Sequence, residues 1–227
     1  MERLVKLLLL YKMKKGMIIT LPRYDDTTEY ISQWSDEIND AGKKAGIRIK
    51  PLNDEKVNKE EFEKVIDKLD YKLVVLNGHG SETSIFGHND EILIDEKING
   101  RILTNRITYS RSCNSAFSLG VKCMKNNREG CFIGYNVKFT FYIDNKRSAT
   151  PKKDRTAGMF LSPSNLVPIS IIKGNPSYEA HERARRQMLK NINKILREKT
   201  KDSFLIASAL WNNYMGQTLL GNKEARL

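Results

Sequence analysis

The first half of the chain alternates short apolar runs with amphipathic segments. The runs at residues 16–21, 47–52 and 71–76 are typical of strands buried in a sheet. The segments at 26–45 and 58–69 carry apolar side chains at helical spacing. Each of them opens with an Asp or Asn that is followed three positions later by Glu, as helix caps often are. We therefore predict strand, helix, strand, helix, strand, the rhythm of a parallel sheet covered by helices.

The second half continues the sheet with a less regular pattern. Pro168 places the last predicted strand at an edge of the sheet. The segment at 204–220 is apolar around most of its circumference, which predicts a largely buried helix. The helix after the fourth strand should turn Phe117, Val121 and Met124 inward. The predicted elements of this half are a hairpin over 85–94, strands over 106–109, 131–137 and 166–172, and helices over 114–125, 204–220 and a segment that opens at Asn175 and Pro176.

These elements predict one α/β domain over residues 1–227, with a mostly parallel sheet of about six strands sandwiched between helices. The chain has 227 residues, 40% of them hydrophobic, which is enough to bury a core. Residues 140–158 are polar and basic without periodicity, so we expect a long flexible loop there. No internal repeat or domain boundary interrupts the pattern.

The net charge of +12 is concentrated in one stretch. Residues 146–201 contain fourteen Lys or Arg against four Asp or Glu. Such a segment could bind nucleic acid or another polyanion. It lacks clustered aromatic side chains on which bases would stack, so a solvated loop and the wet face of a basic helix are favoured over direct nucleic-acid binding.

The length of the apolar runs and the spacing of the cysteines indicate the cellular compartment of the protein and whether it binds a metal or cofactor. The longest apolar run, residues 4–11, is too short to cross a bilayer and has no cleavage site after it, so we predict a strand or short helix there and no membrane partner. An odd number of cysteines points to a reducing cytoplasm. Cys113, Cys123 and Cys131 are widely spaced and no CxxC or HxxxH pair occurs, so we expect no metal site and no cofactor.

Two predicted strands end abruptly at a reactive side chain. The strand at 71–76 leads into His79 between two glycines, and the strand at 106–109 leads into Cys113. In an open parallel sheet, reactive groups gather beyond the carboxyl ends of the strands. If the two strands are neighbours, His79 and Cys113 lie side by side on one rim.

A cysteine beside a histidine indicates acyl transfer. A nearby imidazole and the N-terminus of a following helix both lower the pKa of a thiol and so favour the nucleophilic thiolate. The amides of Gly80 and Cys113 could then donate to a developing oxyanion. The alternatives are a structural His79 and a Cys113 that is merely a small buried side chain. His88 is a rival base in the hairpin, whereas Cys123 and Cys131 are interpreted as structural.

The sequence around both residues resembles the caspase–gingipain group of cysteine peptidases, including the bacterial CHAT-type members. The specific segments are LVVLNGHGSE and ITYSRSCNSA, in which an apolar block ends in His-Gly and a second one ends in a small residue followed by Cys. GCFIGYN resembles the strand after the nucleophile, and SYEAHERARRQM and LLGNKEARL resemble the closing elements. The resemblance covers about 200 residues, from Met17 onward.

The resemblance implies a caspase-like fold and a catalytic dyad. Cys113 would be the nucleophile, His79 the imidazole partner and Gly80 the oxyanion-hole residue, with no acidic residue needed to orient the histidine. Arg23 and Arg111 would line the pocket for the residue before the cut and favour an acidic side chain. Alternatively, Arg23 is a surface arginine that pairs with nearby Asp25 or Asp26, or those aspartates face the pocket and favour a basic residue.

The leading functional hypothesis is therefore a cytoplasmic cysteine endopeptidase that cleaves a protein substrate under the control of a regulatory protein partner. Residues 140–158 lie where caspase-like enzymes carry an activation segment, although a plain surface loop is an alternative. A role in prokaryotic defence would fit the relatives that the sequence resembles. The competing hypotheses are a catalytically inactive caspase-like scaffold or adaptor, and a basic nucleic-acid-binding module.

Overall fold

The computed structural model describes residues 13–125 and 129–227. The apolar run at 4–11, which was predicted to form a strand or short helix, lies outside the described residues.

Eight strands and seven α-helices make up the described chain. The strands are β1 (Lys14–Leu21), β2 (Arg48–Asn53), β3 (Tyr71–Asn77), β4 (Ser84–Phe86), β5 (Ile92–Asp95), β6 (Ile107–Arg111), β7 (Cys131–Tyr135) and β8 (Gln217–Gly221). The helices are α1 (Asp26–Trp34), α2 (Asp36–Lys44), α3 (Lys59–Leu69), α4 (Leu119–Met124), α5 (Arg155–Ile172), α6 (Ser177–Glu198) and α7 (Ser203–Gly216).

Six of the strands form one sheet in the order β2-β1-β3-β6-β7-β8. All neighbours in it are parallel except β7 and β8, which are antiparallel. Strands β4 and β5 form the separate hairpin that was predicted over 85–94. Because the parallel strands share a direction, the loops after β1, β3, β6 and β7 all leave the same rim of the sheet.

Helices pack on both faces of this sheet. On one face α3 and α4 contribute Phe62 and Leu119 to a core that also includes residues of the β4–β5 hairpin. On the other face α2, α5 and α6 contribute Ile38, Ile171 and Ala184. The predicted fold class, an α/β domain whose mostly parallel six-stranded sheet lies between helices, is confirmed.

The sixth strand is not where the sequence placed it. Residues 166–172 belong to α5, which contains Pro163 and Pro168. The strand is instead β8, in a segment that was predicted to be helical. A short apolar run looks the same in a buried helix and in a buried strand, so periodicity alone could not distinguish them.

Helix α7 is shorter and more exposed than predicted. It ends at Gly216, where an added Cβ would lie 2.1 Å from a methyl group of Val137, and the chain continues as β8. One side of α7 faces solvent, and Phe204 at its start is 78% exposed. The prediction of a largely buried helix was therefore wrong for this side.

The helix predicted over 114–125 is reduced to the six residues of α4. Asn114 adopts a left-handed backbone with φ of 54°, which prevents a helix from starting there. Phe117 and Val121 are exposed rather than inward, whereas Met124 is buried as predicted. Cys113 therefore precedes a turn and does not stand at a helix N-terminus.

Candidate active site

The loops that carry His79 and Cys113 touch each other at the rim of the sheet. Strands β3 and β6 are paired neighbours, with Asn77 opposite Arg111 at their carboxyl ends. The loop after each strand reaches the predicted histidine or cysteine two residues further on. Next to His79, an added Cβ on Gly80 would lie 2.7 Å from the carbonyl oxygen of Cys113. The neighbouring strands, on which the predicted site depended, are thus confirmed, and a side chain at position 80 would displace the cysteine loop.

The backbone amides of Gly80 and Cys113 lie at this contact. The same Cβ position on Gly80 is 3.2 Å from the Cys113 nitrogen, so the two residues adjoin. Within residues 13–125 and 129–227, neither amide donates a hydrogen bond to another residue. Gly80 faces Ile85 in an isolated antiparallel bridge whose hydrogen bonds are made by its neighbours. The Gly80 amide is therefore available to an oxygen atom placed between the loops, whereas the Cys113 amide contacts its own sulfur.

His79 is held by Asp25, a carboxylate that the sequence did not single out for this role. Its Nε2 atom lies 2.6 Å from Oδ2 of Asp25, in the loop after β1. The other carboxylate oxygen of Asp25 accepts from the Thr28 amide at 2.7 Å and so caps α1. Although partial burial opposes it, the hydrogen bonds from His79 and Thr28 hold the pKa of Asp25 below its usual value. The residue could have been found from its place at the end of a third parallel strand on the same rim.

Tyr24 packs the β4–β5 hairpin against the histidine. Its ring meets that of His79 edge-on at 6.1 Å and that of His88 at 5.3 Å. Its hydroxyl donates to Asp90 at 2.6 Å, and burial together with Asp90 raises the pKa of Tyr24. His88, the rival base, thus lies behind Tyr24, with its Nδ1 buried and without a hydrogen-bond partner in the described chain.

Cys113 is partly exposed, and its thiol is engaged by the protein. Its Sγ atom donates to the carbonyl oxygen of Phe139 at 3.7 Å. Burial raises the pKa of the Cys113 thiol, while the Phe139 contact and nearby Lys138 act in the opposite direction. The pKa of this thiol is therefore raised and not lowered as expected, since burial outweighs the Phe139 contact and the charge of Lys138.

The backbone that accepts from the thiol is fastened to α7. Asn213 is buried and brackets Thr140: its side-chain oxygen accepts from the Thr140 amide at 3.0 Å, and its nitrogen donates to the Thr140 carbonyl at 2.6 Å. Asn212 donates to the carbonyl of Lys138 at 3.1 Å. The Phe139 ring packs on that of Tyr135 at 4.7 Å. The position of this segment beside Cys113 thus depends on α7.

Arg111 lies inside the protein. It has no exposed surface, and it joins strands β3 and β6 to α1 and α5. Burial lowers the pKa of its guanidinium. The expectation that Arg111 lines a substrate pocket does not fit this burial, because its donors are already used. They bond to Asn77, Ser35, Ser164, Asn165 and the carbonyl of Ile31.

Arg23 remains at the surface of the rim. Its guanidinium lies 3.9 Å from Glu29 and not against Asp25 or Asp26, and about a third of its side chain is exposed. Since ion pairs of this kind are weak, Arg23 is free to meet a ligand.

The other cysteines are remote from this chemistry. Cys123 and Cys131 are buried free thiols, and burial raises the pKa of each to about 12. In the part of the chain that the structure describes, no group of three or more His, Cys, Asp or Glu side chains is arranged to hold a metal ion. The described helices also include none that is both long and apolar enough to span a membrane.

No family model and no curated protein matches the chain. Solved structures do. A complex of the pro- and mature domains of RgpB from Porphyromonas gingivalis aligns over 94% of this chain with a TM-score of 0.60 at 12% identity. A structure described as the Arg-specific cysteine proteinase gingipain R (RgpB) aligns over 95% with a TM-score of 0.51 at 14% identity.

The chain has the gingipain fold. It spans 48% of each of those two solved chains, about half of their length. At this level of identity the likeness concerns the fold alone, which is the caspase-like α/β arrangement implied by the sequence.

Proposed function

We propose that this chain is a cysteine endopeptidase in which Cys113 is the nucleophile and His79 carries the proton. The observation behind the proposal is the direct contact between the loops after β3 and β6, at the rim of a gingipain-like sheet. One solved neighbour is described as a cysteine proteinase, which supports this reaction class. The CHAT type stays a prediction from the sequence.

The proposed reaction uses groups carried by these two touching loops. The thiol of Cys113 passes its proton to His79 as the sulfur–carbon bond forms at the substrate carbonyl. Negative charge collects on the carbonyl oxygen, toward which the amides of Gly80 and Cys113 would donate. His79 then gives the proton to the amine as the carbon–nitrogen bond breaks, and water hydrolyses the thioester.

Asp25 extends the predicted dyad with a positioning carboxylate. Its hydrogen bond to Nε2 leaves Nδ1 as the nitrogen that exchanges the proton with the substrate. A carboxylate at this distance also stabilises the protonated imidazole that forms during the reaction.

The contact between Cys113 and Phe139 corresponds to an inactive, resting state of the proposed enzyme. A thiol that donates to a carbonyl and has a raised pKa is a poor nucleophile. Activation therefore requires the segment at 137–140 to move, which supports control by a regulatory protein partner. A flexible basic loop was predicted over residues 140–158. In the structure this loop is shorter, because α5 begins at Arg155. We propose it as the part that a partner orders or a protease cuts.

Arg23 is the remaining candidate for recognising the residue before the cut. Its partly exposed guanidinium would favour an acidic side chain. The solved neighbour is described as Arg-specific, which makes a basic side chain the competing preference. A library of fluorogenic peptides that varies this residue distinguishes the two.

The test of the proposed activity compares three full-length proteins: the wild type, Cys113→Ala and His79→Ala. We expect the wild type to cleave members of the library and both variants to lose cleavage while they keep the circular dichroism of the wild type. Cleavage that survives in Cys113→Ala would show that the sulfur is not the nucleophile.

A catalytically inactive scaffold is the second candidate, and the engaged thiol favours it. Reaction with iodoacetamide reports when the thiol is accessible, and cleavage measured in that state separates the two. A peptidase in its resting state reacts at Cys113 once the segment at 137–140 is loosened, whereas a scaffold shows no cleavage even when the thiol is accessible.

The remaining proposals concern compartment and nucleic acid. All three cysteines are free, which supports a reducing compartment such as the cytoplasm. Direct nucleic-acid binding, the third hypothesis, requires an affinity that falls steeply with salt and is lost when Arg183, Arg185 and Arg186 are neutralised.

A further inference from the structure

Helices α6 and α7 form a hairpin with an apolar outer ridge. Only four residues connect the two helices, so they run antiparallel. Phe204, Trp211 and Met215 on α7 are 78%, 50% and 57% exposed. They are seven and four positions apart, which places them on one side of the helix. This outer ridge is about 17 Å long at 1.5 Å per residue.

A basic stripe runs beside the ridge on α6. Its members are spaced four, four and three positions apart along the outward side of the helix: Arg186, Lys190, Lys194 and Arg197. None of them forms an ion pair within residues 13–125 and 129–227. Other arginines of the same helix do, as Arg183 pairs with Glu179 and Arg185 with Glu182. The stripe therefore presents uncompensated positive charge.

An aromatic stack holds the ridge and the stripe together. The guanidinium of Arg185 lies 3.9 Å from the centre of the Tyr214 ring and donates to the Tyr214 carbonyl. Trp211 stacks on Tyr214, with the two ring centroids 5.2 Å apart. The two helices are thus fixed side by side, and the ridge and the stripe form one surface.

The composition of this surface selects its occupant. A second copy of the chain would bring two basic stripes together, which like-charge repulsion opposes. Nucleic acid would need several free ring faces on which bases stack, but Trp211 is already stacked and methionine offers no such face, which leaves the ridge with the single ring of Phe204. An amphipathic helix with acidic flanks would cover the ridge with its apolar side chains and pair its carboxylates with the stripe.

We propose that the outer face of the α6–α7 hairpin docks an acidic amphipathic helix of a partner protein. Apolar side chains of that helix would cover Phe204, Trp211 and Met215, and its carboxylates would pair with the basic stripe. The same helix holds the segment beside Cys113 through Asn212 and Asn213. Regulation of the thiol by this docking rests on the proposed peptidase function. The docking itself does not depend on that function.

Binding of designed peptides to the full chain tests this proposal. The probe is a fluorescein-labelled helical peptide of about 18 residues, long enough to cover the ridge, with leucine on one face and glutamate on its flanks. A matched peptide carries lysine in place of glutamate. We expect fluorescence anisotropy to show saturable binding of the acidic peptide only. The protein carries Cys113→Ala throughout, so that the result does not depend on peptidase activity.

Variants decide where the peptide binds. Phe204→Glu and, separately, Met215→Glu should weaken binding at least tenfold, and Lys190→Glu combined with Lys194→Glu should do the same. Ile98→Glu, at an apolar side chain that is 62% exposed elsewhere on the surface, should leave binding unchanged. Phe204 is so exposed that its substitution should not unfold the protein.

Other outcomes overturn the proposal. These are equal binding of both peptides, no binding of either, and binding that Phe204→Glu and Met215→Glu leave intact. Phe204-dependent self-association in analytical ultracentrifugation would assign the face to a second copy. Phe204-dependent binding to vesicles of phosphatidylserine and phosphatidylcholine, or to an oligonucleotide, without binding of the acidic peptide, would assign it to a membrane or to nucleic acid.

Discussion

His79 Nε2 lies 2.6 Å from Oδ2 of Asp25, which joins the loop after β3 to the loop after β1. The contact fixes the plane of the imidazole and the nitrogen that carries the proton. Replacing Asp25 by Asn keeps the shape but removes the charge. We expect Asp25→Asn to lower kcat/KM by about 10²-fold, the scale of a general acid–base contribution.

The neighbouring carboxylate supplies the control for this substitution. Asp26 is also exposed, and it makes no described contact with His79. Asp26→Asn should therefore leave kcat/KM within about twofold of the wild type, a negligible change on the same scale. Equal losses in both variants would show that the rim needs negative charge in general and not an oriented histidine.

The second prediction concerns the pH dependence of Cys113. Because burial raises the pKa of the thiol, the thiolate is scarce at neutral pH in the resting protein. The rate of alkylation by iodoacetamide should stay low near pH 7 and rise only above about 8.5, the ordinary cysteine pKa. Mass spectrometry after a timed pulse assigns the label. A rate that is already maximal at pH 7 would contradict a neutral resting thiol.

The third prediction concerns the hold of α7 on the segment beside the thiol. Asn213→Ala removes both partners of the Thr140 backbone, and we expect it to cost about 2 kcal/mol of unfolding free energy and to speed alkylation of Cys113. Asn212→Ala removes a single exposed hydrogen bond and should cost less than about 1 kcal/mol. Urea denaturation and alkylation rates measured on the same preparations check both effects. Unchanged alkylation in Asn213→Ala would mean that α7 does not restrain this segment.

The fourth prediction distinguishes the roles of Arg23 and Arg111, which the sequence had assigned to one substrate pocket. Arg111→Met leaves several buried polar groups without a donor, so we expect it to cost about 3 kcal/mol of unfolding free energy. Arg23→Ala should leave stability nearly unchanged, because the side chain is partly exposed and weakly paired. If Arg23 recognises an acidic residue, only Arg23→Ala changes the peptide-library profile.

The sequence predicted the central sheet because its strands are apolar runs interrupted by clear helix caps. β3 and β6 lead into His79 and Cys113 in the sequence and in the structure alike. The pairing of these two strands was only a condition at the level of sequence, and the structure supplies it. The last third of the chain was harder to predict, since α5 and β8 are both apolar and neither shows a strong period.

The missed features of the site depend on tertiary contacts. Asp25 was visible as a carboxylate after β1, but only the sheet order brings that loop beside His79. Arg111 is the last residue of β6, a strand that is buried on both faces. A charged side chain is ordinarily expected at the surface, so the sequence did not predict the burial of Arg111. The raised pKa of Cys113 follows from the burial of the thiol, and its hydrogen bond goes to Phe139, 26 residues further along the chain.

Strand β7 leads directly into the segment that meets the thiol, and α7 leads directly into β8, the partner of β7. The Asn136 amide donates to the Gly216 carbonyl, and Asn213 grips Thr140, so these four pieces close into a ring of hydrogen bonds. A displacement of the last helix would thus act on the backbone beside the sulfur through these hydrogen bonds as well as through the apolar packing of Phe139.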